Sequence, residues 1–89
     1  MRIGLMIEGQ TGLTWDRWRQ ILRTAERVGL ASVFRSDHYH TGRQTNSLEA
    51  YLSFVMAAEE TDTIRFGPLV TPITFRAPVD VARMAAQIS

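Results

Sequence analysis

A histidine beside a carboxylate, set directly after an apolar run, has the means to move a proton near neutral pH. Asp37-His38 is such a pair, following the run Leu30 to Phe34. Adjacent side chains at a strand end need not point together, so no direct bond between the two is assumed. The same residues also read as a loop cap beside a surface histidine. His38 and His40 fall on one side of an extended segment, with Asp37 or Glu8 as oxygen donors. Zinc asks for three or four convergent ligands and no more are evident, so no metal site is expected. Glu8 follows the first apolar run; Thr71, Thr74 and Arg76 follow the third. Arg76 suits an anion or a loop cap equally well. Gly9-Gln10-Thr11-Gly12 lacks both the dinucleotide fingerprint and a Walker lysine, and reads as an ordinary loop.

Composition narrows the chemistry further. The 89 residues hold no cysteine, which removes thiolate nucleophiles, disulfides and cysteine-rich metal sites. All ten basic residues are arginine, so no lysine Schiff base arises from this chain. With nine acidic residues the net charge is +1, which draws the chain to neither nucleic acid nor membrane. The segment from Met1 to Gly9 is too short for a signal peptide or a span, and a cytoplasmic location is expected. Hydrophobic residues at 45% suit a folded domain.

The elements that must position these groups alternate. Ile3 to Ile7 reads as a buried parallel strand. Thr14 is a good N-cap, and Trp18, Ile21, Leu22, Ala25 and Val28 form an apolar stripe ending at Gly29. Trp15 and Trp18 are expected to pack on the sheet. Leu30 to Phe34 is a second strand, with Arg35, Ser36, Asp37, His38, Tyr39 and His40 after it. Asn46 and Glu49 have capping-box spacing, with Ser47 as a competing cap. Leu48, Tyr51, Leu52, Val55, Met56 and Ala58 then mark a helix ending near Glu60. Ile64 to Val70 is a third strand, interrupted or ended early at Gly67-Pro68. Pro78 opens a third helix with Val81, Ala82, Ala85 and Ile88 on its buried side.

This β-α-β-α-β-α order, repeating at roughly 30 residues, predicts a parallel sheet. In such folds ligands meet the carboxyl ends of the strands, where the polar residues above fall. Three units leave both outer strands open. Residues 1–89 are therefore expected to be the N-terminal portion of a larger domain, or a chain that completes itself by self-association.

The strand ends carry a more specific signal. Ile3-Gly4-Leu5-Met6-Ile7-Glu8-Gly9-Gln10, Phe34-Arg35-Ser36-Asp37-His38-Tyr39 and Ile64-Arg65-Phe66-Gly67-Pro68-Leu69-Val70-Thr71-Pro72 resemble the first three strand ends of the luciferase-like monooxygenase superfamily. They look most like its branch using the deazaflavin coenzyme F420. Ala25-Glu26-Arg27-Val28-Gly29-Leu30 and Thr74-Phe75-Arg76-Ala77-Pro78 match the same pattern in order.

The resemblance implies a fold class of α/β, the first three units of a (β/α)8 barrel. It further implies hydride transfer between F420 and a small organic substrate. His38 would assist protonation and Asp37 would orient or tune the site. Glu8, Leu69, Val70 and Thr71 would line the ring, with a non-prolyl cis peptide between Leu69 and Val70. Several F420 enzymes have a tryptophan where this chain has Gly42, and the family's phosphate-binding loops would lie beyond Ser89. The FMN branch prefers Glu-His-His where Asp37-His38-Tyr39 stands, so F420 is the expected cofactor and FMN the alternative. The competing class is a partial barrel without catalysis, with 89 residues alone expected to be inactive.

Overall fold

Three short strands and three helices alternate along the chain in a computed structural model that describes residues 2–9, 12–38, 47–72, 74 and 76–88. The elements are β1 (Gly4–Ile7), α1 (Trp15–Arg27), β2 (Ser32–Arg35), α2 (Ala50–Glu60), β3 (Arg65–Pro68) and α3 (Pro78–Ile88). The strands lie in the order β1-β2-β3, both pairs parallel as the spacing predicts. Ile7, Arg35 and Pro68 are level in register, so the three strands finish flush. The ladder runs one step further. Ser36 N–H donates to the Ile7 carbonyl and Leu69 N–H to that of Arg35, each at 2.9 Å.

The helices cover one face of the sheet. Leu5, Ile7, Val33 and Phe66 turn toward them and pack with Leu22, Ala25, Phe54 and Ala57. Gly4 and Met6 point the other way and are exposed. The first strand is thus covered on a single side, not buried throughout as its unbroken apolar run suggests.

Helix α1 is built as its sequence reads. The Thr14 hydroxyl accepts from Arg17 N–H at 3.3 Å, and Asp16 lies in the first turn, where the helix dipole favours a negative charge. At the other end Gly29 takes φ +86°, a conformation that favours a residue without a side chain. Leu30 N–H reaches the Ala25 carbonyl at 2.9 Å and Gly29 N–H that of Glu26 at 3.2 Å, closing a Schellman motif. Trp18 has no exposed surface, and its indole N–H donates to the Ser53 carbonyl at 2.8 Å. Trp15 and Val28 are exposed, because both lie off the arc that meets α2 and the sheet.

Helix α2 departs further from expectation. It begins at Ala50 with Glu49 as its own N-cap, the carboxylate accepting from Tyr51 N–H at 3.0 Å. Ser47 is buried and donates its hydroxyl to the His38 carbonyl instead of capping, while Asn46 lies outside the described residues. Leu48 takes φ +55° in the approach to the helix. The buried face is Ala50, Tyr51, Ser53, Phe54 and Ala57, leaving the expected core residues Leu52 and Val55 exposed. Phe54 decides this facing. It stacks on Phe66 of β3 with ring centres 5.8 Å apart and meets Tyr51 edge-on at 5.4 Å.

Strand β3 ends at Pro68, within the expected early end at Gly67-Pro68, although Leu69 N–H still bonds the Arg35 carbonyl beyond it. Helix α3 starts at Pro78 as predicted. None of its residues is fully buried. Val81, Met84 and Ile88 lean on the core, whereas Ala82 and Ala85 are exposed, so its inner face differs from the expected one.

One carboxylate fastens the α2–β3 turn. Glu26 Oε2 accepts from the backbone N–H groups of Asp62 and Thr63, both at 2.8 Å, and of Ile64 at 3.2 Å. These bonds, the one from Thr63 foremost, hold the Glu26 carboxyl below its ordinary range. A folded-state value below the unfolded one stabilises the fold at neutral pH, and that contribution is lost as pH falls through the lowered value. Glu26→Gln is therefore expected to be less stable than the native chain at pH 7, the gap closing on acidification below the usual glutamate range. Urea unfolding at a series of pH values checks this; a gap independent of pH would contradict it.

Candidate active site at the carboxyl edge

The first residues beyond the level triplet Ile7, Arg35 and Pro68 are Glu8, Ser36 and Leu69, and all three strands run the same way. Asp37, His38, Val70 and Thr71 follow immediately. Glu8, Asp37, His38, Leu69, Val70 and Thr71 therefore share one edge of the sheet. Glu8, His38, Leu69 and Val70 are exposed there, and Thr71 is half-buried. The peptide bond joining Leu69 to Val70 is cis, as the resemblance implies. Tyr39 and His40 lie outside the described residues, as do Gln10, Thr11 and Gly42.

Beneath this edge sits a polar cluster that local sequence gives little sign of. Alternation in β2 turns Val33 and Arg35 toward the helices. Arg35, expected as a rim residue after the strand, is instead its last member and has no exposed surface. Its Nε donates to the Ser36 carbonyl at 3.0 Å, Nη1 to the Ser53 hydroxyl at 3.1 Å and Nη2 to the Ser47 carbonyl at 2.8 Å. Burial lowers the Arg35 pKa, against the opposing charges of Asp37 and Glu49. The guanidinium also fixes the residue type at position 9. A Cβ on Gly9 would come within 2.9 Å of Arg35 Cζ and 3.2 Å of the Ser47 carbonyl oxygen. The N–H of Gly9 meanwhile donates to the Ser36 hydroxyl at 2.9 Å, joining the ends of β1 and β2.

Asp37 is 2% exposed, and both of its oxygens accept from Arg76: Nε to Oδ2 at 2.6 Å and Nη2 to Oδ1 at 2.8 Å. Nη2 of Arg76 also reaches Glu49 Oε2 at 2.7 Å. The guanidinium carbon lies 4.6 Å from the centre of the Tyr51 ring. These bonds, those to Asp37 first, raise the Arg76 pKa well above its ordinary value, so this cation is permanent. Arg35 and Arg76 face Asp37 and Glu49, which makes the cluster neutral as a whole. By its position in the sequence Arg76 suits an anion site and a loop cap equally. Its partners are two carboxylates of the same chain, 39 and 27 residues away.

The backbone of His38 is tied down as well, since its carbonyl takes the Ser47 hydroxyl. Across the edge, Tyr51 and Thr71 share a hydrogen bond of 2.9 Å between their hydroxyls. The edge thus combines exposed polar groups with an exposed apolar step over a fixed base.

The family described as luciferase-like monooxygenase matches residues 1–89, the whole of the chain. The chain belongs to the luciferase-like monooxygenase family. No individual curated protein matches it. Luciferase-like monooxygenases are oxidoreductases that act on small molecules and generally bind flavin or F420. Among the described residues no helix is long and apolar enough to cross a membrane. The α/β architecture of three parallel strands in one sheet and three helices is consistent with part of a TIM-like fold.

Proposed function

We propose that this edge is one part of the rim of a (β/α)8 barrel and serves an F420-dependent oxidoreductase. The observation carrying the reading is the shared position of exposed His38, exposed Glu8 and the exposed Leu69-Val70 step beyond three level, parallel strands. A flat ring with one apolar and one polar side fits such a surface, because apolar backing and nearby hydrogen-bonding groups lie together. Leu69 and Val70 back the ring, Thr71 holds the adjoining backbone in place, and Glu8 borders the pocket. A bound deazaflavin supplies the hydride chemistry, and the chain supplies position and charge.

His38 stands where a proton must be given or taken as hydride moves to or from a small organic substrate. Asp37 does not share that duty. With both oxygens on Arg76 it acts as a positioning residue for the segment that carries His38. His38→Ala is expected to lower turnover about 100-fold, the lower end of what a positioned acid–base group contributes, with little change in cofactor affinity. Steady-state rates of the whole enzyme, together with fluorescence titrations of F420 and of FMN, check this. An unchanged rate removes His38 from the proton step. Binding of FMN and not F420 transfers the reading to the flavin branch.

A further inference from the structure

Two segments of the edge, 36–38 from β2 and 69–72 from β3, belong to different loops and must keep a fixed spacing if they address one ring. The Leu69 N–H bond to the Arg35 carbonyl sets their starting points, and beyond it both connect to the first turn of α2 or the residues leading into it. Arg76, which enters from the β3–α3 loop, grips Asp37 on one side and Glu49 on the other. It stacks on the face of Tyr51, whose hydroxyl bonds Thr71. Asp37 is thereby linked to Thr71 through Arg76 and Tyr51, with Glu49 fixing the guanidinium from below.

We propose that Arg76, Glu49 and Tyr51 form a hub that sets the spacing between the His38 segment and the Thr71 segment, making them positioning residues for the bound ring. The functional half of this inference rests on the reading of the edge given above. The chemistry requires a guanidinium. Arg76 uses Nε and Nη2 together on one carboxylate while Nη2 serves a second, and its plane lies against an aromatic face. A lysine keeps the charge but can form neither the two-point contact nor the planar stack.

Arg76→Lys and Tyr51→Phe separate the possibilities. Amide hydrogen exchange is followed at residues 37, 38 and 71, with Leu22 and Val33 as core references. With a working hub, Arg76→Lys speeds exchange about tenfold or more at Thr71 as well as at Asp37 and His38, and leaves the core amides unchanged. Tyr51→Phe, which removes one oxygen and keeps the ring, gives a milder loss at the same places and guards against misfolding of the first variant. Acceleration in Arg76→Lys confined to the β3–α3 loop, with Asp37 and His38 unchanged, or in Tyr51→Phe confined to Thr71, overturns the hub. In parallel, the F420 dissociation constant of the whole enzyme is expected to rise about tenfold in Arg76→Lys. An unchanged constant beside altered exchange overturns the positioning role. Failure of the native enzyme to bind either F420 or FMN refutes the functional reading, while the exchange data still decide the hub.

Discussion

Replacing Trp18 by alanine should cost about 3–5 kcal/mol, the usual range for removing a fully buried large aromatic. The indole is wholly enclosed between α1, α2 and the sheet, so its loss leaves a cavity that two helices and a strand must close together. It also strips the Ser53 carbonyl of the 2.8 Å bond from the indole nitrogen. Against a total stability of about 5–15 kcal/mol for ordinary domains, that is a large share. Trp18→Phe keeps most of the apolar area and loses the N–H, so the part due to the hydrogen bond should appear as about 1 kcal/mol. Urea unfolding monitored by far-ultraviolet circular dichroism measures both. A midpoint shift in Trp18→Ala equivalent to less than about 1 kcal/mol would mean that α2 settles onto α1 without the indole.

The second large effect concerns a charge. Arg35→Ala should destabilise the fold by about 3 kcal/mol, because removing one member of a buried, fully bonded polar group strands the others. Three acceptors, the Ser36 and Ser47 carbonyls and the Ser53 hydroxyl, lose their donor at once, and among the described residues Asp37 and Glu49 keep Arg76 as their cation. Arg35→Met retains an aliphatic stem and avoids most of the cavity, so its smaller cost isolates the polar part. Equal stability of Arg35→Met and the native chain in urea would show that the cost of dehydrating the guanidinium matches the worth of its bonds. Arg35 would then hold the segment in register without stabilising it.

These two residues also show why sequence reading succeeds and fails where it does. Helix α1 is legible because its signals are local: Thr14 before the first turn, an apolar stripe at helical period, Gly29 after the last. The order and direction of the strands follow from unit length, and Pro78 marks a helix start because its missing donor is not needed in the first turn. The face of α2 is not legible in this way. Ser53 is buried and Leu52 exposed, an inversion of their hydropathies, because Ser53 offers a carbonyl to Trp18 and a hydroxyl to Arg35. Likewise Arg35 reads as a rim group until the two-residue alternation from Val33 is carried through it, which turns it toward the helices. A buried arginine then calls for anions, and Asp37, two residues on, is one of them. Arg76 completes the set from 39 residues further along, a distance over which no local pattern reports.

The level finish of β1, β2 and β3 makes strand length as informative as strand content. A single extra residue in β2 would exchange its two sides wholesale, setting the guanidinium of Arg35 and the carboxylate of Asp37 among open-side neighbours and pressing Phe34 and Ser36 against α2. Two extra residues would restore the sidedness but lift this strand's loop above its neighbours by about one pleat, roughly 7 Å. Length variation that spares the edge is thus confined to the loops at the opposite end, and the count of residues between Gly4 and Glu8, Ser32 and His38, and Arg65 and Thr71 is itself part of the design.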